Sequence, residues 1–128
     1  ESVNPEVVET LDEGNFIFTG EFSGTFFNTD TSDATHKMTF QCPGLWHVEG
    51  SEGKSNGVCI GKDAEGDKLF MTWGGTGTFP YTGGPFQVTS GTGKFAGASG
   101  GGAFMGHTVA FDDGMNGMGY ATWTDCSY

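Results

Sequence analysis

The sequence predicts an all-β protein, a single antiparallel barrel of seven or eight strands. Three observations predict it. Apolar residues alternate with period two along most of the chain, which is the signal of strands with one buried face. Clusters of Gly, Pro, Asn and Asp recur at short intervals between these runs. Outside a short stretch at Val7–Leu11, no window of about 11 residues repeats apolar residues at helical spacing. The chain has 128 residues, the size of one domain.

Residues 1–13 carry five acids, no Lys and no aromatic residue, and Pro5 interrupts an early strand. They read as a flexible acidic arm ahead of a barrel domain over residues 14–128. From Asn15 the alternation begins. Phe16, Phe18, Phe22 and Phe26 share one face with Gly20 and Gly24, whereas Ile17, Thr19, Glu21, Ser23, Thr25 and Phe27 share the other. Glycines within a long strand let it coil around a barrel, and the Phe face is the natural core.

Asn28–Thr35 is rich in Asp, Thr and Ser and reads as a turn or exposed loop. Lys37–Cys42 and Leu45–Glu49 read as two strands, with a polar loop over Gly50–Asn56. Gly57–Gly61 and Lys68–Trp73 flank a turn in which Gly66 suits a positive φ. Gly74–Gly77 and Tyr81–Pro85 read as turn material, since Pro80 and Pro85 confine any strand between them to an edge. Phe86–Thr89, Ala103–Phe111 and Met118–Thr124 complete the strands, with turns at Ser90–Lys94 and Asp112–Gly114.

Composition excludes several classes. A net charge of −11 with five Lys and no Arg opposes phosphate, so nucleic acid and anionic membranes are not expected partners. No apolar run is long enough for a transmembrane helix. The 24 glycines lack a Gly-X-Y period, which excludes collagen. Gly91-x-Gly93 imitates a phosphate-binding loop, but Gly100-Gly101-Gly102 leaves no helix to face the anion.

Cys42 and Cys59 bracket a Gly/Ser/Lys-rich excursion, the spacing of two strand ends brought back together. They form either a disulfide in an exported protein or two buried thiols in a reducing compartment. A removed secretory leader would leave a chain starting at Glu1, as would any shortened chain. Secreted or periplasmic localisation is therefore the expectation. Cys126 is left over as a free thiol or an inter-subunit link.

Ser90-Gly91-Thr92-Gly93-Lys94-Phe95-Ala96-Gly97-Ala98-Ser99-Gly100 resembles a segment of the allene oxide cyclase and dirigent barrel superfamily. Gly57–Trp73 and Gly119–Trp123 are similar to small exported bacterial proteins that carry the same element. The resemblance implies an eight-stranded, allene oxide cyclase-like barrel that is often oligomeric, needs no cofactor and holds an apolar small molecule in its lumen. It further implies that Phe95 plugs one barrel end. Neither the glutamate–asparagine pair of the cyclase nor the lumen aspartates of dirigent proteins is reproduced in register.

Glu21 is the candidate catalytic acid or base if its face lines the lumen; if the Phe face is inside, it is a surface acid. His107 is its candidate partner, on the same strand face as Met105, Val109 and Phe111. His36, His47 and His107, with Glu49 or Asp112, have no metal-ligand spacing. Asp63, Glu65 and Asp67 lack the calcium-loop pattern, so neither metal nor cofactor is expected. Trp73, Phe79, Tyr81, Phe86 and Phe95 are loop or barrel-end aromatics suited to a ligand, or to stacking on a sugar ring. Two functions follow: a module binding a small apolar or aromatic molecule near one barrel end, or a cofactor-free isomerase or cyclase using Glu21 and His107. The lack of a nucleophile–base pair favours the first.

Overall fold

The computed structural model describes residues 2–12, 14–78, 80–110 and 117–128, with side chains described outside residues 2–11, 110, 117 and 118. Eight strands follow one another: β1 (Ser2–Asp12), β2 (Asn15–Thr25), β3 (Thr39–Glu49), β4 (Glu52–Lys62), β5 (Lys68–Thr78), β6 (Tyr81–Gly91), β7 (Gly100–Ala110) and β8 (Gly117–Thr124). Each pairs antiparallel with its sequence neighbours, and the sheet curls into a closed barrel. Among the described residues the β1–β8 seam pairs Ser2 with Met118 and Val3 with Gly117.

Alternation sets the inside. On β2 the even residues point inward with Phe18 buried, on β3 Cys42, Trp46 and Val48, and on β5 Leu69, Met71 and Trp73. The rings form a continuous column across the lumen. Phe18 stacks on Trp46 at 5.0 Å, Trp46 meets Trp73 at 5.5 Å, and Trp73 meets Phe104 at 5.8 Å. Phe104 then meets Trp123 at 5.6 Å, and Trp123 meets Phe86 at 4.8 Å. The barrel is thus filled by side chains, as small barrels are.

The strands run longer than the residue pattern predicts, for reasons that lie in this packing. Pro43-Gly44 does not divide β3, and residues 50–56 are mostly strand β4. Gly44 lies opposite Gly57, which lies opposite Trp73. A Cβ on either glycine would come 2.6 Å from Trp73 Cζ2. The glycine pair is therefore the recess in which the indole lies, and Trp73 Nε1 donates to Val58 O at 3.2 Å. Gly74–Gly77 and Tyr81–Pro85 belong to β5 and β6 in the same way.

Residues 2–12, expected as a flexible arm, form β1, paired with β2 from Ser2↔Ser23 to Asp12↔Asn15. Pairing satisfies the backbone edge that β2 would otherwise expose. Pro5 is tolerated beside a register shift between Pro5 and Val7. The loops after β2, β4, β6 and β8 gather at one barrel end. There Gly93–Phe95 forms a single 3-10 turn with Phe95 only 3% exposed, as a plug should be. Gly66 has φ 94° in the β4–β5 turn, as its position there requires. Phe79, Phe111 and the Asp112–Gly114 turn lie outside the described residues.

Candidate functional site

The loop between β2 and β3 is ordered by its own short polar side chains. Asp30 Oδ1 accepts from Ser32 N and Oγ, and Asp33 Oδ1 accepts from Thr35 N at 2.8 Å and from Thr35 Oγ1. Phe26 N donates to Met38 O and Lys37 N to Phe26 O, both at 2.8 Å, closing the loop's neck. The C-terminal tail docks against it. Tyr128 Oη donates to Asp33 Oδ1 at 2.9 Å, while Ser127 N donates to Gly101 O at 2.9 Å.

Beneath this lid lies a cavity of about 80 Å³. Its floor is apolar, with Phe26, Phe40, Leu69, Met71, Phe86, Val88 and Trp123; its rim is Asn28, Asp33, Thr35, Cys126, Ser127 and Tyr128. An apolar floor with a few convergent polar groups is the usual form of a small-molecule site. Burial works against an ionised Asp33, but the hydrogen bonds from Thr35, Tyr128 and Asn28 outweigh it and hold the carboxyl below its ordinary 3.8. Burial pushes the Tyr128 phenol up, as does its bond to Asp33. Burial and the charges of Asp125 and Asp33 also push the Cys126 thiol up, leaving it a protonated, weak nucleophile. Cys126 is a free, exposed cysteine.

A second cavity, about 40 Å³, lies deeper in the lumen against Phe22, Trp73, Phe104, Trp123 and the Cys42–Cys59 disulfide. The two cysteines face each other across β3 and β4, mid-strand rather than at strand ends.

The residues singled out from the sequence do not converge. Glu21 lies on the outer face of β2, where Gln41 Nε2 donates to it at 3.4 Å. His107 is half-buried on β7 and borders the second cavity, while its ring stacks on Tyr81 at 4.4 Å and meets Tyr120 at 5.8 Å. β1 and β8 separate these strands, so the pair cannot serve one reacting group. Trp73 is core, at 9% exposure, rather than a loop aromatic. Tyr81 opens β6 and Gly91 ends it, about 33 Å apart at a rise of ~3.3 Å per residue. Tyr81 and the Gly91–Phe95 hairpin therefore sit at opposite barrel ends and cannot form one rim. Phe86 does line the end cavity, and Phe95 packs on Tyr128 at 5.9 Å.

Asp33, Thr35, Trp123 and Tyr128 were not apparent from the sequence as site residues. The Asp-x-Ser and Asp-x-Thr spacings at Asp30 and Asp33 are a legible sign of an ordered loop. The acidic turn is also ordered: Lys94 Nζ lies 2.8 Å from Asp63 Oδ2 and 2.9 Å from Glu65 Oε2, and Lys94 N donates to Asp67 Oδ2. The ammonium thus bridges two of the three acids, and the third is held by a backbone N–H. Asp112 lies outside the described residues.

The outer wall differs between the two sides of the barrel. β6, β7 and β8 contain no Asp, Glu, Lys or Arg, and their outer faces expose Tyr81 (53%), Met105 (63%), Val109 (52%) and Tyr120 (64%). Comparison of the chain with protein-family models, curated proteins and solved structures gives no match.

Proposed function

We propose that this is an exported binding barrel that holds a small molecule with an apolar or aromatic body in the cavity beneath the loop of residues 26–38. The observation that carries the reading is the cavity itself, walled by Phe26, Phe86 and Trp123 and rimmed by polar groups. Its volume suits one ring or a short branched chain rather than an extended lipid. The Cys42–Cys59 disulfide supports an oxidising compartment. The Ser90–Gly100 hairpin and the eight-stranded barrel are what support kinship with allene oxide cyclase-like barrels. The isomerase alternative lacks its pair: His107 borders the second cavity, but Glu21 lies on the outer face of β2, separated from β7 by β1 and β8. The apolar lumen, with Lys54, Lys62 and Lys68 exposed on the outside, is the reverse of a membrane-spanning barrel. Together with the −11 charge, this argues against membrane and nucleic-acid partners.

A panel of single-ring aromatic molecules, read by thermal shift and by the Trp123 indole resonance, tests the reading. A binder should raise Tm in the native protein and not in Val88→Phe, which fills the cavity. Ligands that stabilise both equally place the site elsewhere.

The uncharged wall favours a second reading, for association. Two chains of charge −11 repel over most of their surface, and β6–β8 is where neither contributes a charged strand residue. The partner we propose there is a second copy of this chain. Sedimentation should show a dimer that Met105→Glu with Tyr120→Glu returns to monomer; a native monomer at high protein concentration refutes it.

A further inference from the structure

We infer that the end cavity selects a small organic ammonium ion, seated with its charge towards Asp33 and its alkyl groups against Phe26, Phe86 and Trp123. The inference rests on the binding reading above and gives the ligand a charge. Asp33 is the one charged residue among the described lining side chains. The carboxylate already accepts from Thr35 and Tyr128, but its charge stays unneutralised: a neutral ligand would strip its remaining water without offsetting that charge, and an anion would meet it with no cationic lining side chain to help. A cation gains from the carboxylate and also from the rings, whose faces attract positive charge. The rings meet near right angles, Phe26 to Trp123 at 90° and 6.4 Å and Phe86 to Trp123 at 71° and 4.8 Å. They therefore form a corner rather than a flat shelf, which suits a compact branched head and not a flat sugar ring. The cavity of about 80 Å³ is of the size of such a head. A chain of charge −11 also concentrates cations around it.

The test uses three probes of one shape on the full chain: choline, its neutral carbon analogue 3,3-dimethylbutanol, and the anion 3,3-dimethylbutyrate. Binding is read by calorimetry and by the Trp123 indole resonance. Choline should bind at least tenfold more tightly than the alcohol, and the acid should not bind. Asp33→Asn should lose that preference, whereas Asp30→Asn, which removes the same charge from the same loop outside the cavity lining, should leave choline affinity within twofold. Equal binding of choline and the alcohol overturns the ammonium inference and leaves the binding reading standing. An equal loss in Asp30→Asn overturns it too, by showing a general field effect. Silence of all three probes overturns this inference, while ring-sized ligands that still stabilise the native protein and not Val88→Phe keep the cavity reading.

Discussion

At the scale of single residues, the aromatic column and the glycines facing it decide which substitutions matter. Trp73 touches Trp46 and Phe104 and fills the recess over Gly44 and Gly57. Trp73→Ala should therefore cost about 3–5 kcal/mol through the cavity it leaves, with Phe18→Ala in the same range; urea unfolding followed by far-UV circular dichroism measures both. A Cβ at position 57 would lie 2.2 Å from Pro43 O, backbone that cannot rotate away. Gly57→Ala should accordingly cost about 1–3 kcal/mol by overpacking, although alanine is the smallest possible change. Glu21 is the contrast. Outside the barrel and, among the described residues, with only a long bond to Gln41, it can become Gln with a change within about 0.5 kcal/mol. A larger loss would mean its carboxylate has a role that its position does not reveal.

At the scale of elements, the C-terminal tail and the loop of residues 26–38 act as one unit through Asp33 and Tyr128. The folded Asp33 carboxyl lies below its ordinary 3.8, so its contribution is complete above that pH and is lost as pH falls through the lowered value. Tyr128 lies above its ordinary 10.0, so its contribution is present below that pH and is lost as pH rises through the raised value. The tail should stay docked between these limits. An acid titration watched at the Ser127 amide, which donates to Gly101 O, should show release only below about pH 4. Tyr128→Phe should release it earlier on acidification; release near pH 6 in the native chain would mean another group controls docking. At the same barrel end, Lys94 ties the 3-10 turn to the β4–β5 hairpin. Lys94→Met should quicken hydrogen exchange at Gly66 and Asp67 without quickening that of β4.

At the scale of the molecule, one covalent bond and an uneven charge distribution stand out. The disulfide closes a separation of 17 residues between adjacent strands, a loop for which the chain-entropy model gives about 3 kcal/mol. Replacing both cysteines by Ala should lower stability by about that amount and leave the barrel folded, since the aromatic column is independent of it. Intact mass before and after reduction checks the bond, and two alkylatable thiols in unreduced protein would remove it. Charge is confined to β1–β5 among the strands, whereas β6–β8 have none. Electrostatics therefore leaves one wall free to approach a second copy.

The all-β class, the inward face of β2 and the pairing candidates Cys42 and Cys59 were legible because each depends on near neighbours in sequence or on simple period-two alternation. The uncharged stretch that becomes β6–β8 was equally visible as composition, without its meaning. Strand lengths were not legible. Gly44, Gly74–Gly77 and Gly83–Gly84 look like turns, yet Gly44 and Gly75 lie under rings of Trp73 and Phe104, and Gly77 and Gly84 meet the backbone of a paired strand; sequence does not say what each glycine faces. The candidate site was hidden for the same reason. Asp33 and Tyr128 lie 95 residues apart, and Phe26, Phe86 and Trp123 come from three different parts of the chain. Only barrel closure, with the loops after β2, β4, β6 and β8 at one end, brings a carboxylate and three rings around one small space.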